Sequence, residues 1–211
     1  AASDVYKRQM PKGLTAATGM DALTHAIESY ITPGAWVMSD MFELKAIEMI
    51  AQNLKAAVDN GKDVAAREAM SQAQYIAGMG FSNVGLGIVH SMAHPLGAFY
   101  DTPHGVANAL LLPYVMEYNA ESPAAPKYIH IAKAMGVDTT GMSEAEGVKA
   151  AVEAVKALSA SINIPQKLHE INVKEEDIPA LAVAAFNDVC TGGNPRPTSV
   201  ADIEALYRKA F

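Results

Sequence analysis

Apolar residues recur at helical spacing along nearly the whole chain, and this periodicity constrains the fold more strongly than any other feature of the sequence. There is no convincing alternation of apolar and polar residues of the kind that marks a strand, and no internal repeat. The breaks at 121–127 and 190–197 indicate loops rather than linkers between domains. The pattern predicts one all-α domain with helices within 18–31, 39–61, 63–81, 85–95, 103–120, 127–136, 143–162, 174–189 and 199–211.

Polar residues and prolines predict where several of these helices begin and end. Thr18 is predicted to cap the first helix, with Asp21 three residues later in the position of a capping-box acid. Pro95 predicts the end of the fourth helix, because residues before proline avoid the α-helical region. Pro103 is expected near the first turn of the fifth helix, and Pro113 at a kink within it.

Composition excludes several classes of protein. The formal net charge of −7 argues against a nucleic-acid surface, which would need clustered Lys and Arg. No uninterrupted apolar run approaches the roughly 18 residues that a membrane span requires. Cys190 is the only cysteine, so no intramolecular disulfide can form, and the reducing cytoplasm is the expected location.

Three histidines lie within a glycine-rich apolar stretch, GLGIVHSMAHPLGAFYDTPHG, where an imidazole is costly to bury unless something pairs with it. His90 and His94 are four residues apart and share a helix face, as do Asp21 and His25. Two such faces, together with His104, would present one carboxylate and several imidazoles to a single point. That ligand set suits a divalent transition metal.

Each of these residues also has a purely structural interpretation. Asp21 could cap a helix, and His25 could be an ordinary helix histidine. His90 and His94 could bond to each other or to backbone carbonyls, and His104 could cap a helix start. The HxxxH pair lacks the Glu that makes HExxH specific. The clustering of four of the six histidines on two short apolar stretches favours a metal site, but the spacing leaves the metal open.

Three strings of the sequence resemble a known family: ATGMDALTHAIESYI, GMGFSNVGLGIVHSMAHPLGAFYDTPHGVANALLLPYVMEYN and DVCTGGNPRPT. They are similar to the C-terminal catalytic domain of the iron-containing (group III) alcohol dehydrogenases. The resemblance covers about residues 10–211. It implies a multi-helical, metal-binding domain of the dehydroquinate synthase-like superfamily.

The resemblance also implies roles for individual residues. The implied metal ligands are one carboxylate and three imidazoles, on Asp21, His25, His90 and His104. His94 corresponds to a histidine beside the nicotinamide and the substrate, so it is the implied catalytic and cofactor-binding residue. Phe81 and Cys190 are implied to line the substrate end of the pocket, although a buried Phe and a free Cys are also ordinary core residues.

The implied activity is hydride transfer between NAD(H) and a small primary alcohol or diol, such as 1,2-propanediol, or its aldehyde, such as lactaldehyde. Iron(II) is the implied metal, with zinc as the alternative, because zinc binds such ligands more tightly in the usual affinity order. A homo-oligomer, a dimer, is implied for the full-length enzyme.

Three other interpretations stay open on the sequence. The first is a metal-binding module without catalysis of its own, and His94 argues against it because pure binding would not need that residue. The second is a glycerol-dehydrogenase-like enzyme of the same superfamily, which would use fewer histidines. The third is a helical interaction domain in which the histidines are structural.

The nucleotide-binding domain of the family has no counterpart in the sequence pattern. No GxGxxG and no βαβ pattern appears before residue 20. Residues 1–9 do not resemble what precedes MPKGLTAATG in the family, and we expect them to be an unrelated or artefactual leader. Residues 10–211 are expected to form the helical catalytic domain, inactive alone as a dehydrogenase because most of the NAD site is missing.

Overall fold

A computed structural model describes residues 10–211, and within that range the chain forms α-helices and no strand. The all-α prediction is confirmed. The expectation for residues 1–9 lies outside the described residues. The nine α-helices of the described range are α1 (Lys12–Ile31), α2 (Val37–Asp59), α3 (Val64–Val84), α4 (Ile88–Tyr100), α5 (His104–Asn119), α6 (Tyr128–Ala134), α7 (Glu144–Ser161), α8 (Ile178–Phe186) and α9 (Val200–Ala210).

Helix α1 lies at the centre of the molecule and packs against α2, α3 and α5. Its apolar side chains Met20, Leu23 and Ile27 are fully buried. Helix α1 is therefore a core element, and even polar side chains on it, such as Glu28 and Ser29, are buried.

Short 3-10 segments connect or extend several helices, at Ala125–Lys127, Leu168–Ile171, Glu175–Asp177 and Val189–Gly193. The last of these lies against α4. A Cβ atom on Gly193 would lie 2.0 Å from the backbone oxygen of Leu86, so only glycine allows this segment to approach the start of α4 so closely.

The start of α5 approaches α1 equally closely. A Cβ atom on Gly105 would lie 2.3 Å from the backbone oxygen of Ala17. Glycine at this position therefore lets the first turn of α5 rest on the α1 backbone, which places His104 beside Asp21.

The start of α1 and the end of α4 differ most from their predicted positions. Helix α1 begins at Lys12, so Thr18 lies inside it and donates its hydroxyl to the Leu14 carbonyl at 2.8 Å. Asp21 consequently has no capping role. Helix α4 continues through Pro95 to Tyr100, because the single backbone hydrogen bond that proline removes is outweighed by burial of the apolar residues on both sides of it.

The other segments predicted to be helical each contain a helix, and Pro103 and Pro113 lie at the start of α5 and inside it. Within residues 10–211, no helix has both the length and the apolar character needed to cross a membrane.

Candidate metal and catalytic site

Side chains from three helices converge at one point. Asp21 and His25 come from α1, His90 from the first turn of α4 and His104 from the first residue of α5. Oδ1 of Asp21 lies 3.4 Å from Nε2 of His104 and 4.0 Å from Nε2 of His90. One ligand atom from each of Asp21, His90 and His104 lies within 4.8 Å of the other two. Three of the four residues predicted to bind metal are thus close enough to share one ion.

His25 lies at the edge of this group. Its ring centroid is 4.1 Å from that of His90, and its Nδ1 is 3.7 Å from Oδ1 of Asp21. Nδ1 also lies 2.8 Å from the backbone carbonyl of Asp21, to which an N–H at this position donates. With the proton on Nδ1, the lone pair of His25 is on Nε2, as in a neutral metal ligand.

Burial lowers the pKa of His25, and the neighbouring His90 lowers it further. Burial likewise lowers the pKa of His104, although Asp21 acts in the opposite direction. Both rings are therefore biased toward the neutral form, which is the form that binds a metal.

His90 gives the structural test of whether a cation fits. Its side chain is 2% exposed, and Nδ1 lies 2.5 Å from Oε2 of Glu28. The other nitrogen, Nε2, is buried and has no hydrogen-bond partner among residues 10–211. A buried polar atom without a partner is costly. A cation between this atom, Asp21 and His104 would remove that cost, so the donor set fits a divalent metal.

Asn108, one turn after His104 on α5, supports the same group. Its amide nitrogen lies 2.7 Å from Oδ1 of Asp21 and 3.0 Å from Nε2 of His104. It therefore holds the carboxylate beside the imidazole.

His94 lies next to the cluster without joining it. Its ring stacks on that of His104 with centroids 5.4 Å apart, and its side chain is 41% exposed. Its Nδ1 lies 2.7 Å from Oδ2 of Asp188. Burial opposes ionisation of Asp188, but the Cys190 amide and His94 outweigh it and lower the pKa of this carboxyl.

The two histidines of α4 thus each bond to a carboxylate, not to each other or to a backbone carbonyl. That structural alternative for His90 and His94 is wrong.

Phe81 and Cys190 occupy different places. Phe81 packs on the ring of His25 with centroids 4.5 Å apart and lines a cavity of about 430 Å³ together with Asp21 and His25. Cys190 does not line this cavity. It is half-buried beside Asp188, and burial together with the Asp188 charge raises the pKa of its thiol to about 12. The thiol is therefore protonated near neutral pH.

Three polar residues of the site were not predicted from the sequence. Asn108 follows His104 at the helical spacing of four, and Glu28 lies two turns after Asp21, so spacing was an available signal for both. Asp188 is two residues from Cys190 but 94 from His94, and nothing in the sequence pairs the latter two.

Most of the chain is similar in sequence to known proteins. Residues 15–211 match the model of the Fe-containing alcohol dehydrogenase family, C-terminal. Lactaldehyde reductase of Escherichia coli strain K12 is 60% identical over 202 residues, which are 96% of this chain and 52% of that protein. 1,3-Propanediol dehydrogenase of Klebsiella pneumoniae is 47% identical over 201 residues, or 95% of this chain and 52% of that protein.

A solved structure has the same fold. The crystal structure of a 1,3-propanediol oxidoreductase superimposes with a TM-score of 0.96 at 46% identity, over 99% of this chain and 54% of that one. The chain therefore spans about half the length of the relatives it matches.

Proposed function

This chain belongs to the Fe-containing alcohol dehydrogenase family, and we propose that it supplies the metal-binding, catalytic half of an NAD(H)-linked oxidoreductase. The proposed substrates are a small primary alcohol or diol and the matching aldehyde, of the 1,2-propanediol and lactaldehyde kind. The similarity to lactaldehyde reductase and 1,3-propanediol dehydrogenase supports this substrate class. Iron(II) is the proposed metal, and zinc is the alternative on affinity.

The observation that carries the proposal is the buried, unpartnered Nε2 of His90 beside the Asp21 carboxylate and His104. We propose that these three residues and His25 hold the ion. When bound, a divalent metal acts as a Lewis acid that lowers the pKa of an alcohol and polarises an aldehyde carbonyl.

The position of His94 supports a role in proton transfer. Its ring is exposed beside the cluster, and Asp188 holds Nδ1, which leaves Nε2 for a reacting hydroxyl. We propose that His94 accepts the alcohol proton in oxidation and returns it in reduction, next to the nicotinamide. Phe81 packs on the ring of His25 and would give the proposed metal site an apolar wall on that side.

NAD(H) is proposed to lie mostly against another part of the full-length enzyme. Residues 10–211 contain no strand and so no βαβ nucleotide-binding unit, and His94 is the residue of this range that we assign to cofactor contact. We expect the full-length enzyme to be a cytoplasmic homo-oligomer. A module that only binds metal is the weaker candidate, because it would not need the Asp188–His94 pair.

The test has two stages. Metal analysis of the purified chain should find about one divalent ion per molecule, and His90→Ala and His104→Ala should lose most of it. The chain joined to the N-terminal half of E. coli lactaldehyde reductase should then reduce lactaldehyde with NADH. Full metal content in both alanine variants would refute the metal site. A metal-loaded hybrid that folds and binds NADH but does not turn over would favour the binding module.

A further inference from the structure

The structure assigns a positioning role to Glu28 that rests on the proposed metal site. We propose that its carboxylate holds the proton of His90 on Nδ1, so that Nε2 is the nitrogen offered to the metal. Glu28 is no ligand itself, because His90 lies between it and the other metal-binding side chains.

Both oxygens of the Glu28 carboxylate are used, in a place that water does not reach. The residue is 2% exposed. Oε2 lies 2.5 Å from Nδ1 of His90, and Oε1 accepts the backbone N–H of Val89 at 2.7 Å. An ionised carboxylate can only accept hydrogen bonds, so the nitrogen that faces Oε2 is the donor, and the proton of a neutral His90 ring is on Nδ1.

The second ring nitrogen of His90, Nε2, is the one that this arrangement leaves available to a metal. With the proton on Nδ1, a neutral ring has its lone pair on Nε2. That atom is buried, has no hydrogen-bond partner in residues 10–211, and lies 4.0 Å from Oδ1 of Asp21. If the proton moved to Nε2, an N–H would point into the group and no lone pair would remain there for an ion.

Glu28 also fixes the backbone that carries His90. Val89 lies in the first turn of α4, where backbone N–H groups have no partner within the helix. By accepting that N–H, Glu28 ties the start of α4 to α1, the helix of Asp21 and His25. A Cβ atom on Gly87 would lie 2.9 Å from Oε1, so glycine at this position leaves space for the carboxylate.

The charges agree with this role. Asp21 brings one carboxylate into the cluster, and Glu28 places a second behind the ring of His90. Carboxylates that accept from the far nitrogen of a metal-binding histidine orient the ring and raise its basicity.

The experiment compares Glu28→Gln with the wild-type chain, with Zn²⁺ as the probe and a competing chromophoric chelator as the readout. A glutamine can turn its NH₂ group toward Nδ1, which favours the proton on Nε2. We expect Zn²⁺ affinity to fall about 10- to 100-fold. The matched control is Glu43→Gln, the same change at a second fully buried glutamate that lies against Gly80, and it should leave the affinity unchanged.

A second measurement does not depend on how the variant folds. Long-range ¹H–¹⁵N correlation spectra of the metal-free wild-type chain report which ring nitrogen of His90 is protonated. The proposal requires the proton on Nδ1. A proton on Nε2, or equal Zn²⁺ affinity in wild type and Glu28→Gln, would overturn it.

The two proposals can fail separately. Absence of Zn²⁺ binding that depends on His90 and His104 in the wild type would overturn the metal site and this role with it. Tight wild-type binding that Glu28→Gln leaves intact would overturn only the role of Glu28.

Discussion

The Asp188 carboxylate lies 2.7 Å from Nδ1 of His94, which brings together α4 and the residue that caps the 3-10 segment Val189–Gly193. Oδ1 of Asp188 accepts the backbone N–H of Cys190 at 2.9 Å, so a second hydrogen bond fixes the orientation of the carboxylate. A fixed carboxylate holds an imidazole in one orientation and stabilises it when it becomes protonated.

Asp188→Asn should therefore slow turnover in the hybrid enzyme and leave its metal content unchanged. An asparagine can turn its amide NH₂ toward Nδ1 and no longer fixes the ring through an N–H donated to a carboxylate, so we expect kcat to fall about 10- to 100-fold. Steady-state kinetics across pH and metal analysis on the same samples measure both effects. The control is Asp138→Asn, the same change at an exposed residue that does not belong to the site. Unchanged kcat would show that the pair is structural.

The two histidines of α4, His90 and His94, should respond differently to replacement by alanine. His94→Ala should retain the metal, while turnover falls about 10²- to 10⁴-fold because the general base is lost. His90→Ala should lose most of the metal, because it removes the buried Nε2. Metal content and kcat measured for both variants separate the two roles. Equal metal loss in the two would mean that they are assigned wrongly.

Removing the metal should lower the melting temperature of the chain. An ion that binds only the native state adds stability by mass action, about 2.7 kcal/mol at a free concentration 100 times its Kd. Thermal unfolding followed by circular dichroism, with and without a chelator, measures this difference. His90→Ala should show almost no effect of the chelator, and a wild-type chain equally insensitive to it would contradict the site.

Helical periodicity was sufficient to predict an all-α domain because apolar residues recur at helical spacing in most of these segments. It did not locate the start of α1, which lies six residues before the predicted cap. Pro11 at the cap was a local signal for this start. A tertiary contact also holds it: the buried Arg67 of α3 donates to Oγ1 of Thr15 at 2.8 Å and to the Met10 carbonyl at 3.2 Å. No local signal marks that contact, which spans more than fifty residues.

Part of the site could likewise be predicted from the sequence, and part of it could not. Spacing of four placed Asp21 with His25 and His90 with His94, because one helix turn fixes such pairs. Spacing could not tell that His90 would point inward and His94 outward. That difference comes from the partners supplied by other elements, Glu28 and Asp188.

Glu43 on α2 gives a pH-dependent test of the fold. Its side chain is fully buried, and neither carboxylate oxygen has a hydrogen-bond partner within the described range. The nearby Ser29 hydroxyl donates instead to the His25 carbonyl at 2.5 Å. Burial raises the pKa of Glu43 from 4.5 to about 8, and the negative charge of Asp40 contributes in the same direction.

The free energy of unfolding should therefore contain a term that decreases as pH rises from about 4.5 to about 8. In that window the folded state keeps the Glu43 proton and the unfolded state has lost it, so rising pH favours unfolding. Glu43→Gln removes this term and should be more stable than wild type at pH 8, by on the order of a few kcal/mol. Urea unfolding of both proteins at pH 5, 6.5 and 8 measures the difference, in which the contributions of the histidines cancel. A stability difference between the two that stays constant across this range would show that Glu43 is ionised in the folded chain.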